Sequence, residues 1–282
     1  MNASDDRSDE LGATPVGESH VPNDGAPGLI SNVVGPLLAL APEDYPDVSG
    51  LVTEDDTPVD NPYVERQCRL LVDLLYGSWV QPQRKTFVAM ANVGLFFALY
   101  EPPLVPDFLF SLDVKFPPDI LKKEHRSYFV WLYGKVPDVV IEIVSDRRGG
   151  EDTFKMRQYA RLGVLYYVIY DPTDFQGSGV LRVLELHRRD YRPVEGNWLS
   201  AIGLGLTFWE GIYQGIEGIW LRWCDQQGRV LLTSQERAEQ EHQRAEQESK
   251  LADQERQRAD ELTERLKQLE ALLQAKGLEP SS

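Results

Sequence analysis

The segment PDVVIEIVSD, residues 137–146, places one carboxylate in the middle of an apolar strand pattern. Alternate side chains of a strand point to opposite faces of its sheet. One face carries Val139, Ile141 and Ile143, and the other carries Val140, Glu142 and Val144. A strand that is apolar on both faces is typical of the centre of a parallel sheet covered by helices. The pattern therefore predicts an α/β sheet with a single buried acid, Glu142, at its centre.

A buried carboxylate such as Glu142 needs a compensating partner. An ionised carboxylate removed from water without a partner costs several kcal/mol. Glu142 therefore requires a metal ion, a cationic side chain or a proton. A metal site would make Glu142 part of a catalytic or binding centre, whereas a buried pair with an arginine or lysine would be structural only.

A metal site also needs a second carboxylate near Glu142, and two aspartates are candidates. Asp138 faces the same way, but four residues along a strand span roughly 13 Å. Because ligand oxygens lie about 2.1 Å from a Mg²⁺ ion, Asp138 and Glu142 cannot both bind one ion directly. Asp138 is expected to cap the start of the strand after Pro137. Asp107, in the predicted strand VPDFLFSLDV, is the better partner, although an aspartate after a proline is also common in turns.

The segments around this strand alternate between helical and strand patterns. EDTFKMRQYARLG predicts a short helix that ends at Gly163, and LYYVIYDP predicts the next strand. A strand–helix–strand unit of this length is a right-handed crossover between parallel strands. Upstream, NPYVERQCRLLVDLLYGSW predicts a helix that stops near Gly77. Downstream, VLRVLELHRRDYRPV predicts a hairpin. The chain is therefore expected to form an α/β domain.

The net charge of −16 is unevenly distributed along the chain. Residues 1–60 carry 13 acidic side chains and one basic side chain, whereas residues 61–230 carry 20 of each. We expect a mostly disordered acidic segment at 1–60, a domain at 61–232, a charged helix at 233–276 and a short tail at 277–282. The neutral domain lacks the broad basic surface that gives strong non-specific binding to DNA.

Cysteine usage and the N-terminal residues bear on the compartment. Only Cys68 and Cys224 occur, which implies no disulfide framework and fits a reducing compartment. The acidic start MNASDDRSDE lacks the pattern of a signal peptide. No apolar run approaches the length of about 18–20 residues that a transmembrane helix needs. We therefore expect a cytoplasmic protein that is not embedded in a membrane.

The C-terminal segment has a heptad pattern that is apolar only in its last part. Position a carries Ala238, Ala245, Ala252, Ala259, Leu266 and Leu273. Position d carries Glu241, Glu248, Glu255, Leu262 and Leu269. Two alternatives remain open, a solvated charged helix and a weak coiled coil that pairs two chains.

The segments VPDFLFSLDV, PDVVIEIVSD and EDTFKMRQYARLGVLYYVIYDP resemble those of the Uma-type restriction endonucleases, a family abundant in cyanobacteria and part of the PD-(D/E)xK nuclease superfamily. The resemblance covers about Asn61 to Leu232, and the heptad tail is also similar to that of cyanobacterial members. It implies a restriction-endonuclease-like mixed sheet flanked by helices. It also implies Mg²⁺- or Mn²⁺-dependent cleavage of DNA, with Asp107 and Glu142 as the metal-binding acids.

One position departs from the superfamily motif, which places a lysine two residues after the glutamate. Val144 stands there, and similar families carry the lysine on the following helix, where this chain has Lys155. The resemblance then implies that Lys155 orients the attacking water or stabilises charge on the phosphate. Tyr159 lies one turn further on the same helix face. Glu65, on the first helix, is a candidate outer ligand. Lys155 and Glu65 could equally be ordinary surface residues.

Two other functions remain compatible with the sequence. The first is a catalytically inactive nuclease fold that binds DNA or assembles with proteins, which the neutral domain and Val144 favour. The second is an adaptor whose C-terminal helix recruits a partner. A homo-oligomer that forms through the domain or through this helix fits all three functions.

Overall fold

The computed structural model describes residues 40–51, 61–81, 86–145 and 151–276. The predictions for residues 1–39, 52–60 and 277–282 lie outside this part of the chain. The helices are α1 (Pro62–Ser78), α2 (Val130–Tyr133), α3 (Met156–Leu162) and α4 (Ser234–Ala275). The strands are β1 (Phe87–Ala91), β2 (Leu95–Phe96), β3 (Phe108–Leu112), β4 (Tyr128–Phe129), β5 (Val139–Ile143), β6 (Tyr166–Tyr170), β7 (Leu181–His187), β8 (Asp190–Pro193), β9 (Trp198–Leu199), β10 (Leu204–Tyr213) and β11 (Ile216–Cys224).

The main sheet is mixed and has six strands in the order β1-β3-β5-β6-β7-β8. Strands β5 and β6 are parallel neighbours, and the other adjacent pairs are antiparallel. This arrangement confirms the predicted α/β class, the parallel pairing of the two central strands and the β7–β8 hairpin. The strand with the buried acid, β5, thus lies inside the sheet with β3 on one side and β6 on the other.

The two faces of β5 pack into different apolar clusters. Val139, Ile141 and Ile143 join the cluster that includes the α1 leucines. Val140 and Val144 join a second cluster that includes Tyr159 of α3. The alternation predicted from the sequence is therefore confirmed, and Glu142 projects towards the α3 side. This placement decides which helix supplies its partners.

Helix α1 begins where the sequence predicted but is tied to the rest of the domain by contacts that it did not predict. Asn61 caps the helix by accepting hydrogen bonds from the backbone of Tyr63 and Val64. The buried Gln67 side chain donates to the carbonyl of Leu221 and accepts from its amide. Both backbone groups of this β11 residue are thereby satisfied, so the small sheet β11-β10-β9 is fixed against α1.

The long helix α4 is attached to the domain through its first turn. Thr233 and Glu236 form a reciprocal capping box at the start of the helix. The two carboxylate oxygens of Glu236 each accept a hydrogen bond of 2.9 Å from the buried guanidinium of Arg222. The same guanidinium lies 3.6 Å from the centroid of the Trp209 ring. We call this group the Arg222 clasp; beyond it, no residue of α4 is buried by the part of the chain that the structure describes.

Gly77 was expected to stop α1, and the helix does end one residue later, at Ser78. A contact adds a second reason for glycine at this position. A Cβ atom built on Gly77 would lie 2.6 Å from the Ser234 hydroxyl and 2.9 Å from its amide nitrogen. Any side chain here would push away the first residue of α4. Over the described residues, no helix is both long and apolar enough to cross a membrane.

Candidate active site

Glu142 lies in the middle of the sheet, is 1 % exposed and has a defined partner on each carboxylate oxygen. Its Oε2 accepts from Lys155 Nζ at 2.7 Å, and its Oε1 accepts from the Tyr159 hydroxyl at 2.8 Å. Lys155 ends a π-helical turn, Glu151–Lys155, and Tyr159 lies one turn further, on α3. The structure thus brings together three of the residues that the sequence singled out.

Asp107 lies directly before β3, next to the carboxyl end of β5. It comes one residue before the Phe108–Ile141 pair, where the antiparallel register sets it opposite Glu142. Its Oδ2 accepts a 2.6 Å hydrogen bond from the Ile143 amide, and its backbone carbonyl accepts one from Asn92. The side chain therefore extends the β3–β5 pairing by one hydrogen bond and is held beside Glu142.

Burial and the Lys155 charge act in opposite directions on the pKa of Glu142. Burial raises the pKa of its carboxyl to about 7 from 4.5, although the Lys155 ammonium acts to lower it. The Asp107 carboxylate raises the pKa of Glu142 further because two nearby like charges repel. The hydrogen bonds from Lys155 and Tyr159 lower the pKa of Glu142, but they offset only part of the rise. Because the pKa stays raised despite the lysine partner, additional positive charge near Glu142 would further stabilise its ionised form.

Burial and the charges of the two acids also raise the pKa values of Tyr159 and Cys68. Burial, and then the Glu142 charge, raises the pKa of the Tyr159 hydroxyl well above its usual value, so Tyr159 remains a hydrogen-bond donor at neutral pH. Burial raises the pKa of the Cys68 thiol, and the charges of Asp107 and Glu142 add to that effect. Cys68, on α1, is therefore a neutral thiol at neutral pH.

Two other acids that the sequence analysis weighed have partners of their own. At the start of β5, Asp138 accepts from Lys135 Nζ at 2.6 Å and from the Leu112 amide at 2.8 Å. Its Oδ2 is thus paired near the beginning of the strand, as the strand geometry led us to expect. Glu65 forms an ion pair with Arg69 one turn along α1, and its side chain is 35 % exposed. Its role as an outer ligand stays a prediction.

Sequence reasoning did not find the backbone groups that hold the site. The Ile143 amide fixes Asp107, and the Asn92 amide fixes its backbone carbonyl. Asn92 has a φ of +53°, in the left-handed region, where asparagine is one of the more tolerated residues. Nothing in the sequence pointed from Asn92 to Asp107, because their contact depends on how the two segments pair.

The donor atoms at this edge suit a hard divalent cation. Asp107 and Glu142 offer carboxylate oxygens, the ligands that Mg²⁺ and Mn²⁺ prefer. Among the described residues, no group of three or more His, Cys, Asp and Glu side chains could hold a metal ion. Mg²⁺ is commonly bound by one or two carboxylates, with water and substrate phosphate as the other ligands. Two adjacent acids thus fit an ion that is completed by the substrate.

A mixed, helix-flanked sheet with a buried acid at its centre and a lysine on the following helix defines a restriction-endonuclease-like protein. The family model described as "Uma2: Putative restriction endonuclease" matches residues 43–207, more than half of the chain. The chain belongs to this family, as the resemblance of its motifs indicated. No curated protein and no solved structure matches it significantly.

Proposed function

We propose that the chain is a Mg²⁺- or Mn²⁺-dependent endonuclease that hydrolyses phosphodiester bonds of DNA. The observation that carries the proposal is the Glu142 carboxylate, buried beside Asp107 and contacted by Lys155 and Tyr159. Membership of a restriction endonuclease family supports DNA as the substrate. A structural ion pair needs one acid and one base, and this site has a second acid that raises the pKa of the first.

Each residue has a distinct role in this proposal. Asp107 and Glu142 hold the ion, which when bound polarises a phosphate oxygen and lowers the pKa of a bound water. Tyr159 fixes the Glu142 carboxylate through its 2.8 Å hydrogen bond. The Lys155 side chain is 32 % exposed while its ammonium reaches a buried acid, so it lies at the boundary between protein and solvent. From there it can meet a phosphate and stabilise the negative charge that develops during attack.

An inactive nuclease fold that binds DNA or assembles with proteins is the second candidate. Its support is the Lys155–Glu142 ion pair, which partly neutralises Glu142 without a metal. Val144, in place of the motif lysine, points the same way. Cleavage distinguishes the two functions, because an inactive fold leaves DNA intact with every divalent ion.

The Asp107→Asn and Asp138→Asn variants test the proposal as a matched pair. Each removes one carboxylate charge, but only Asp107 lies beside Glu142. Plasmid nicking with Mn²⁺ is expected to fall at least about 100-fold in Asp107→Asn. Millimolar Mg²⁺ or Mn²⁺ is expected to raise the thermal midpoint of wild type and Asp138→Asn, because the ion binds the folded state only. Asp107→Asn should lose that rise.

Two results would contradict this assignment. The reverse ranking of the two variants would show that Asp138 is the ligand. No nicking and no midpoint shift in wild type would exclude the metal-dependent nuclease and leave the inactive fold.

We also infer that α4 pairs two chains. Leu262, Leu266 and Leu269 are 51–63 % exposed and occupy successive d, a and d positions. In a parallel pair, Arg265 at position g faces Glu270 at position e of the partner helix, which gives an attractive contact twice. Glutamates at the earlier d positions repel, so only the end of the helix is expected to pair.

Truncation after Gln240 tests this pairing, because it removes the leucines but keeps the Arg222 clasp. By light scattering, full-length protein is expected to show a concentration-dependent increase in mass, and the truncated protein is expected to stay monomeric with an unchanged thermal midpoint. Truncation after Ser234 is the contrasting control. It leaves the buried Arg222 without its carboxylate, so we expect a loss of about 2 kcal/mol in unfolding free energy. Equal mass for full-length and truncated protein would refute the pairing.

A further inference from the structure

We infer that Arg182 forms a second phosphate-binding position of this site, for a DNA backbone phosphate next to the one that is cut. The inference rests on the proposed nuclease function. It starts from the strand register across the centre of the sheet. Glu142 on β5 pairs with Ile169 on β6, and Ile169 pairs with Arg182 on β7.

The register puts Arg182 on the same face of the sheet as Glu142. Paired residues on neighbouring strands project to the same side. Two strand spacings separate the two backbones, which places their Cα atoms about 10 Å apart. Ile169 lies between them and belongs to the apolar cluster on the α3 side. Arg182 therefore lies on the same face as Glu142, with only Ile169 between them across the sheet.

A hydrogen bond to the loop between β6 and β7 orients the guanidinium of Arg182. Its Nη2 donates a 2.6 Å hydrogen bond to the side-chain oxygen of Gln176. Gln176 lies in the loop that follows the carboxyl end of β6. Glu142, which the Lys155 ammonium contacts, lies near the carboxyl end of the parallel neighbour β5. The half-buried Arg182 side chain thus points its charge to the sheet edge where a phosphate would meet Lys155.

The fully buried Asp171 holds this loop in place. Its two carboxylate oxygens accept 2.9 Å hydrogen bonds from the amides of Phe175 and Gln176. The Asp171 amide donates to the carbonyl of Val180 and closes the loop at its base. The position of Gln176 is therefore set by the backbone, and Gln176 in turn orients Arg182.

The chemistry of this arrangement suits a phosphate diester. A guanidinium presents paired N–H donors that match two phosphate oxygens, and it stays charged at every working pH. Lys155 would serve the phosphate under attack and Arg182 a neighbouring one on the same strand. Two fixed cations at one edge define the direction in which the strand crosses the site. We assign Gln176 and Asp171 as positioning residues, because they act through Arg182.

The test is the salt dependence of binding to a fluorescent 25-base-pair duplex, measured by anisotropy in EDTA so that no metal-dependent cleavage occurs. Loss of one phosphate contact in Arg182→Ala is expected to reduce the slope of log affinity against log salt by about 0.9. Arg182→Lys keeps the charge and should keep the slope while losing part of the affinity. Gln176→Ala should weaken binding less than Arg182→Ala does. Thermal midpoints confirm that each variant is folded.

Arg192→Ala is the matched control. Arg192 is exposed on β8 and pairs with Glu185, which pairs with Tyr166 on the α1 side of the sheet. Its loss removes the same charge from the opposite face and should leave the salt slope unchanged.

In nicking assays, Arg182→Ala is expected to raise KM about tenfold with kcat within about threefold of wild type, since a charge-assisted contact that binds substrate and transition state alike is lost.

The outcomes separate this inference from the function on which it rests. A wild-type protein that binds and cuts DNA, with an unchanged salt slope in Arg182→Ala, overturns the phosphate position alone. An equal loss of slope in Arg192→Ala also overturns it, because the effect would be that of net charge. A wild-type protein that neither binds nor cuts duplex DNA overturns both.

Discussion

Glu142→Gln is expected to abolish DNA cleavage while making the metal-free protein more stable at pH 8. Gln cannot supply the charged oxygen that a divalent ion needs, so nicking should fall at least about 1,000-fold. Its amide oxygen can still accept the Tyr159 hydrogen bond. The wild-type carboxyl has its pKa raised to about 7 from 4.5. Keeping it ionised at pH 8 therefore costs the fold roughly 3 kcal/mol, which the variant avoids.

The sign of the pH dependence follows from this raised pKa. Below pH 4.5 both the folded and the unfolded wild type hold the proton, and Glu142 contributes nothing to the pH dependence. Between pH 4.5 and about 7 the folded state binds more protons than the unfolded state, so this group makes wild-type stability fall as pH rises. Above that range its contribution is constant.

Denaturant unfolding from pH 4 to pH 9 measures this difference. The gap between Glu142→Gln and wild type should open through pH 4.5–7 and then stay constant, and the variant should show no midpoint rise with Mn²⁺. A variant less stable than wild type at pH 8 would mean that the ion pair with Lys155 outweighs the burial cost. That result would favour the structural role of Glu142 over the catalytic one.

Lys155→Met is expected to lower cleavage by about two to three orders of magnitude, the range seen when one charge-stabilising group is removed. Methionine keeps the apolar stem and removes the ammonium that lies 2.7 Å from Glu142. Metal binding should survive, because a lysine is not a metal ligand. It should even strengthen, since the ion no longer competes with a fixed cation for the carboxylate.

Single-turnover nicking with Mn²⁺, together with metal titration by calorimetry, separates these two effects. Arg157→Met is the matched control, because Arg157 is an exposed cation two residues further along the chain and no contact with Glu142 involves it. If Lys155→Met and Arg157→Met have the same cleavage activity, Lys155 has no catalytic role. Equal residual nicking in wild type, Lys155→Met and Glu142→Gln would point to a contaminating nuclease.

Much of the fold followed from periodicity, because β5 is buried on both faces and its flanking segments carry clear helix and strand signals. The Asp107–Glu142 pairing was predictable for the same reason. Four residues on one strand are too far apart for a shared ion, so a neighbouring strand had to supply the second acid. Lys155 was found through the family resemblance, since a helix lysine has no distinctive pattern of its own.

Other features depend on contacts between distant parts of the chain, and local pattern does not encode them. Gln67 reads as an ordinary polar residue of an amphipathic helix, yet it is fully buried and binds Leu221. Arg222 lies in an aromatic-rich strand and gives no sign of its pairing with Glu236. Gln176 and Arg182 become neighbours of the site only once the order of β5, β6 and β7 is known. These residues satisfy buried polar groups that the sequence pattern alone leaves unassigned.

Because α4 is attached to the domain only near its first turn, a small change of angle there moves the far end of the helix by a large distance. With 42 residues it extends about 63 Å, so a tilt of 10° at the Arg222 clasp displaces its tip by about 11 Å. Leu262, the first of the leucines proposed to pair, lies about 40 Å along the helix from the clasp. If two chains pair through these leucines as we propose, the angle of α4 at the Arg222 clasp would set how far apart their two folded domains stand and how freely each domain turns.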